Sequence, residues 1–189
     1  MSRATRYPTA DVLELPIFFD TNVLVYAYER KDAARQERAL AVVAEAMKGS
    51  RLVVSAQVMQ EFYNVVLRRR LLAPLDALAF LRLLAEHTVV PADAGSVLRA
   101  IALQQRCHLS VWDALIVQSA LDAGCATLFS EDMQNGQRFE ATGDRAAAVT
   151  VVNPFAADVP VPGPAVHEPR PAYAVAPPKQ AHGTPRRVA

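Results

Sequence analysis

Five short segments rich in β-branched or aromatic residues, at 17–19, 52–54, 88–90, 126–129 and 149–152, recur along the chain, most of them separated by long stretches with helical periodicity. Strands this apolar leave neither face for water. Helical connections between them are the crossovers that a parallel sheet requires. The pattern therefore predicts an α/β fold, a five-stranded and mostly parallel sheet with helices on both faces.

The helical stretches carry apolar stripes. Leu40, Val43 and Met47 form one, and Val58, Phe62, Val65 and Val66 a second. Ala94, Val97, Leu98, Ile101 and Ala102 form a third, expected to face the core. Asp93, following the breaker Pro91, is the expected N-cap of that third helix. Pro74 in a first-turn position opens another helix over 75–84.

The character of the chain changes after Phe155. Eight of its 13 prolines fall within 156–189, among small residues and without periodicity, so this segment is expected to be a disordered tail. An N-terminal extension over 1–14 precedes a single domain over 15–155. The tail carries Arg170, Lys179, Arg186 and Arg187 against Asp158 and Glu168, which leaves 16 basic and 17 acidic residues in the remainder. A net charge of +1 provides no global basic signature for nucleic acid, although an acidic site and a basic surface would cancel in such a sum. Two cysteines, Cys107 and Cys125, cannot build a disulfide framework, and no apolar run approaches the ~20 residues of a membrane span. A soluble cytoplasmic protein is expected, with no membrane partner.

Four carboxylates occupy places that need explaining. Asp20 closes the first strand, in Ile17-Phe18-Phe19-Asp20-Thr21-Asn22. The carboxyl end of a buried parallel strand is where open α/β sheets bind ligands, and it is equally a place for a helix N-cap. The Asn22 amide could orient this carboxylate. Glu61 lies roughly 90° from the centre of its helical stripe, at ~100° per residue, and can reach over the rim of the core. Its plainer alternative is a boundary residue paired with Arg68 or Arg69. Asp113 falls in 111–117, a stretch apolar nearly all round and so expected to be a buried helix. An ionised carboxylate there needs a cation or a set of donors, while Ser110 three residues earlier has capping-box spacing. Asp132 follows the fourth strand, with its neighbour Glu131 as a rival for the same role.

Carboxylates gathered at one sheet edge repel one another, so some take up protons unless a cation neutralises them. An all-oxygen donor set favours Mg²⁺ or Mn²⁺ over softer metals. The four histidines are scattered, which excludes a zinc pattern, and neither a Gly-rich phosphate loop nor a Ser/His/Asp spacing is present. A haloacid-dehalogenase-type phosphatase would want a second Asp where Asn22 stands, and a receiver domain would want a Lys near 149–152.

The block from Phe18 to Leu24 resembles the opening signature of PIN domains. Gln60-Glu61-Phe62, Trp112-Asp113-Ala114 and Ser130-Glu131-Asp132-Met133 resemble the later acidic signatures, in the same order. Val151-Val152-Asn153-Pro154-Phe155 is similar to the ending of a bacterial subset, the VapC-type toxins. The likeness spans Leu15 to Phe155. It implies a PIN-like three-layer domain, often a homodimer, acting as a single-stranded RNA endonuclease with Mg²⁺ or Mn²⁺, and a cognate antitoxin protein. The metal-site acids of the family correspond to Asp20, Glu61, Asp113 and Asp132, with Asn22 and Ser130 at supporting positions. Contacts to RNA are expected from Arg68 and Arg69 within the cluster 68–70, and from Arg138. The alternative is a non-catalytic PIN-fold module that binds RNA or protein.

Overall fold

The computed structural model describes residues 15–141 and 147–156. The extension over 1–14 and the proline-rich segment from 157 onward lie outside the described residues. The elements in chain order are β1 (Ile17–Phe19), α1 (Thr21–Tyr26), α2 (Ala33–Lys48), β2 (Leu52–Ser55), α3 (Ala56–Arg68), α4 (Pro74–Leu84), β3 (Thr88–Val90), α5 (Ala94–Cys107), α6 (Val111–Asp122), β4 (Thr127–Phe129), β5 (Arg138–Glu140) and β6 (Ala148–Val152).

The sheet has the order β3-β2-β1-β4-β6-β5. All five expected strands are present and pair in parallel. The sheet has six strands, not five, because β5 adds itself antiparallel to β6 at the edge. β5 escaped detection because only Phe139 of its three residues is buried, and so short an edge strand leaves no alternation to read. From β1 the chain winds outward through β2 and β3, then returns to the other side of β1 for β4. The boundary between β1 and β4 is thus a topological switch point, where the crossovers diverge and where open α/β sheets bind ligands at the carboxyl ends of their strands.

Burial follows the α3 stripe closely, whereas of the expected α2 stripe only Val43 is buried, Leu40 being exposed and Met47 half-buried because the inward face is turned toward Ala39, Val42 and Ala46. Val42, Val43 and Ala46 are buried from α2, and Val58, Phe62 and Val66 from α3. Phe62 and Phe80 meet Tyr28 in a cluster with ring centroids 5.0 to 5.9 Å apart, an edge-on or tilted packing that suits their quadrupoles. α5 departs from expectation. Ser96, Ala100 and Leu103 face inward, whereas Leu98 is 68% exposed and Val97 and Ile101 also face water. The helix packs on α6 through its smaller residues, and close approach of two helices outweighs the larger apolar stripe.

Local signals set the helix ends. Asp93 and Ser96 form a reciprocal capping box at α5. Pro74 stands in the first turn of α4. Ser55 both ends β2 and caps α3, accepting from Val58 N at 3.2 Å, so that helix leaves the sheet without an intervening loop. Both cysteines are free thiols, and burial pushes Cys125 up to about 12, which keeps it neutral in the core. Among the described residues, no helix is long and apolar enough to cross a membrane.

Candidate active site

Asp20 follows β1 and caps α1, so both readings of this residue apply to one side chain. Its Oδ1 accepts from Thr21 N at 2.6 Å. Its Oδ2 accepts from Ser130 Oγ at 2.7 Å and from Asn22 Nδ2 at 3.0 Å. Its backbone N–H donates to Phe129 O at 2.9 Å, locking the ends of β1 and β4 together. Asp20 is only 6% exposed. Burial, with the nearby charges of Asp132 and Glu61, raises its pKa from 3.8 to about 6, against the lowering effect of the Ser130 and Thr21 bonds.

Asn22 joins the cluster. The same amide nitrogen that donates to Asp20 also donates to Asp132 Oδ2 at 3.0 Å, and its Oδ1 accepts from Glu131 N at 3.4 Å. Thr21, one residue from Asp20, donates from Oγ1 to Glu61 Oε2 at 2.9 Å. Glu61 thus reaches over the rim of the core to the end of β1 rather than pairing along its own helix. Sequence reasoning missed Thr21, which was hidden inside the Asp20 block.

Glu131 and Asp132 separate cleanly. Glu131 pairs with Arg35 Nη1 and bonds to the Tyr26 hydroxyl, on the side of α2. Asp132 faces Asn22, and through it Asp20. Arg35 lies over the rings of Tyr26 and Phe155, at 5.1 and 5.5 Å from their centroids, and donates to Tyr26 Oη at 3.0 Å. It was invisible in the sequence, since a lone Arg near a helix start is commonplace.

Hydrogen bonds link Asp20 to Asp132 through Asn22, tie Ser130 to Asp20, and hold Glu61 to Thr21, the neighbour of Asp20. Asp113, in the first turn of α6, bonds to Ser110 and not to this network. Ser110 Oγ donates to Asp113 Oδ2 at 2.8 Å and accepts from Asp113 N at 3.0 Å. α6 is buried along most of its length, but its first turn is open, so Asp113 is half-buried instead of enclosed. Gln57 Nε2, in the first turn of α3, donates to Trp112 O at 3.5 Å, which places the start of α6 beside the same sheet edge.

The basic residues lie elsewhere. α3 leaves the sheet at the carboxyl end of β2, so Arg68 and Arg69 at its far end sit about 10 Å further along the axis than Glu61. Arg138 is level with Thr150 and hence with Thr127 and Ile17, toward the amino ends of the parallel strands, and lies beside Glu140 at 3.4 Å. An antiparallel edge strand runs the opposite way, which is why nearness to Asp132 in sequence does not carry Arg138 to the acidic edge.

The carboxylate oxygens of Asp20, Glu61 and Asp132 suit a hard divalent ion, while Asn22 turns its amide nitrogen to Asp20 and Asp132, and burial of Asp20 raises its pKa to about 6 without a cation beside it. Among the described residues, no three acidic, histidine or cysteine side chains stand together at metal-holding distances. Glu61 and Asp132 are exposed and able to change rotamer, while Asp20 is held in place by three bonds.

Residues 17–140 match the family described as the PIN domain. A comparison with curated protein sequences finds no significant match. Among solved structures, the chain is similar to VapC20 of Mycobacterium tuberculosis, described as a Sarcin-Ricin loop cleaving toxin. The TM-score is 0.51 at 24% identity, covering 61% of this chain and 89% of that one. It is also similar to VapBC2 from Rickettsia felis, described as bound to a DNA fragment from its promoter, with a TM-score of 0.45 at 16% identity over 61% of this chain and 86% of the other. The first likeness speaks to the fold alone, and the second is too distant to carry weight.

Proposed function

The chain belongs to the PIN domain family, and from that premise we propose that it is a metal-dependent endonuclease of single-stranded RNA, serving as the toxin of a toxin–antitoxin pair. The observation that carries the nuclease reading is the Asp20 carboxylate, buried at the switch point of the sheet and linked through Asn22 to Asp132 with Glu61 nearby. The toxin role is supported by the sequence motifs, including the ending from Val151 to Phe155.

Asp20, Glu61 and Asp132 would hold Mg²⁺ or Mn²⁺, with Asp113 contributing from the first turn of α6. The chemistry supplied by a bound divalent ion is Lewis-acid activation of water and compensation of phosphoryl charge. Ser130 and Asn22 hold the Asp20 carboxylate in one orientation, and Asn22 also keeps Asp132 turned toward it. Thr21 anchors the flexible Glu61 side chain at the end of β1. Water attacks the phosphorus in line with the leaving O3′, giving 5′-phosphate and 3′-hydroxyl ends. No 2′-OH takes part, so selection of RNA falls to binding rather than to the reaction. The partners of this reading are RNA, a cognate antitoxin and a second copy of the chain.

Asp113→Asn and Asp20→Asn should each lower cleavage of total RNA in Mg²⁺ by roughly three orders of magnitude. End mapping with and without EDTA checks this. Wild-type rates in both variants would dismiss the acidic site. The second reading, a binding module without catalysis, draws on the absence of three converged acids among the described residues. Calorimetry with Mn²⁺ separates the two, because a binding-only module gives no metal heat and no EDTA-sensitive cleavage.

A further inference from the structure

Trp112 is the single tryptophan of the chain, and it is 66% exposed. A side chain with so much apolar surface is usually well covered. Here it stands in the first turn of α6, immediately before Asp113 and two residues after the capping Ser110. Its place relative to the acidic cluster follows from α3. Gln57 donates to the Trp112 carbonyl, while Glu61 accepts from Thr21 beside Asp20. Gln57 and Glu61 are four residues apart on one helix, hence neighbours on one face at about 6 Å. The start of α6 is therefore tied to the same α3 face that carries Glu61 toward Asp20, and the Trp112 indole is open to solvent.

Resting on the nuclease reading above, we propose that Trp112 is the stacking platform for a base of the single-stranded RNA, next to the phosphate being cut. An indole face accepts any base, which suits a site whose reacting groups read no sequence. The surroundings favour a base over a protein partner. The first turn of α6 that carries the indole also carries the exposed Ser110–Asp113 pair and the Gln57 bond to the Trp112 carbonyl, polar groups that a sealed protein interface would strip of water. A stacked base covers one aromatic face and leaves those groups hydrated. The platform also supplies affinity that the cluster cannot, since uncompensated carboxylates repel phosphate.

Because Trp112 is the only tryptophan, its emission reports on this site alone. The probe is a phosphorothioate-linked single-stranded RNA dodecamer in Mg²⁺, with an abasic strand of the same length as control. The dodecamer should quench the emission and the abasic strand should not. Trp112→Ala should weaken dodecamer binding about tenfold and Trp112→Phe should recover most of it, with abasic binding equal in all three. Unchanged emission at saturating dodecamer, or equal affinity in Trp112→Ala, overturns the proposal. So does emission that follows protein concentration and ignores RNA, which would mean that a second copy covers the indole. Cleavage of a natural strand is measured in parallel. If wild type cuts but Trp112→Ala binds equally well, the platform falls and the nuclease stands. If Trp112→Ala loses affinity while neither protein cuts, the platform stands and the nuclease falls.

Discussion

A buried carboxyl group that holds its proton to higher pH than an exposed one is the centre of this protein at the residue scale. Asp20 has a pKa near 3.8 when exposed and about 6 in the fold, with burial as the main cause. Between those values the folded chain keeps a proton that the unfolded chain releases. This group's contribution to stability is therefore full below pH 4 and is lost as pH rises through 6. The loss is at most about 3 kcal/mol at ~1.4 kcal/mol per unit. In EDTA, the stability of Asp20→Asn relative to wild type should rise between pH 4 and pH 6.5, as read from urea midpoints at each pH. A pH-independent difference would mean that Asp20 is already ionised in the metal-free fold. The two adjacent acids after β4 give a second prediction. Asp132 faces Asn22, whereas Glu131 faces Arg35. Asp132→Asn should slow cleavage by roughly a hundredfold or more, while Glu131→Gln leaves it within a few fold. Comparable losses in both would place Glu131 in the site as well.

Elements, more than single residues, determine where these groups sit. α3 carries Glu61, and its direction is set where it leaves β2 at the buried Ser55 cap. Ser55→Ala should cost about 1 kcal/mol, seen as a lower denaturant midpoint with an unchanged slope. It should also loosen Glu61, so cleavage should fall further than the stability loss alone explains at a temperature where the variant is fully folded. Much at this scale was readable beforehand. The five parallel strands, the stripe of α3, the Asp93 cap and the first-turn Pro74 all follow from patterns within a dozen residues. The misses were elements whose surroundings are non-local. α5 shows its largest apolar residues to water because the neighbour it meets is α6. β5 exists because β6 offers an edge.

At the scale of the molecule, the segment after β6 packs on α1 and α2 beside the residues that hold Glu131. Phe155 packs on Tyr26 at 5.0 Å between ring centroids and lies under Arg35, which in turn pairs with Glu131. Arg38 Nε donates to Pro154 O at 2.7 Å from the same helix. A chain ending at Asn153 should therefore be less stable than one ending at Ala156 by roughly 2 kcal/mol, the worth of one large apolar side chain, as a lower melting temperature would show. Equal melting temperatures would mean that this contact contributes little.

Five of the strands, the phase of α3 and the short list of unusual acids were already written in the amino-acid order, because burial imposes a period on neighbours along the chain. Which acids meet was not. Asp20 and Asp132 are far apart in sequence and touch the same Asn22 amide only because β1 and β4 lie side by side at the switch point. Arg138 is drawn away from that edge by an antiparallel strand, and Glu131 is turned aside by an arginine from α2. Such choices belong to strand order and side-chain partners, which are properties of contacts between distant segments and have no counterpart in any local run of residues.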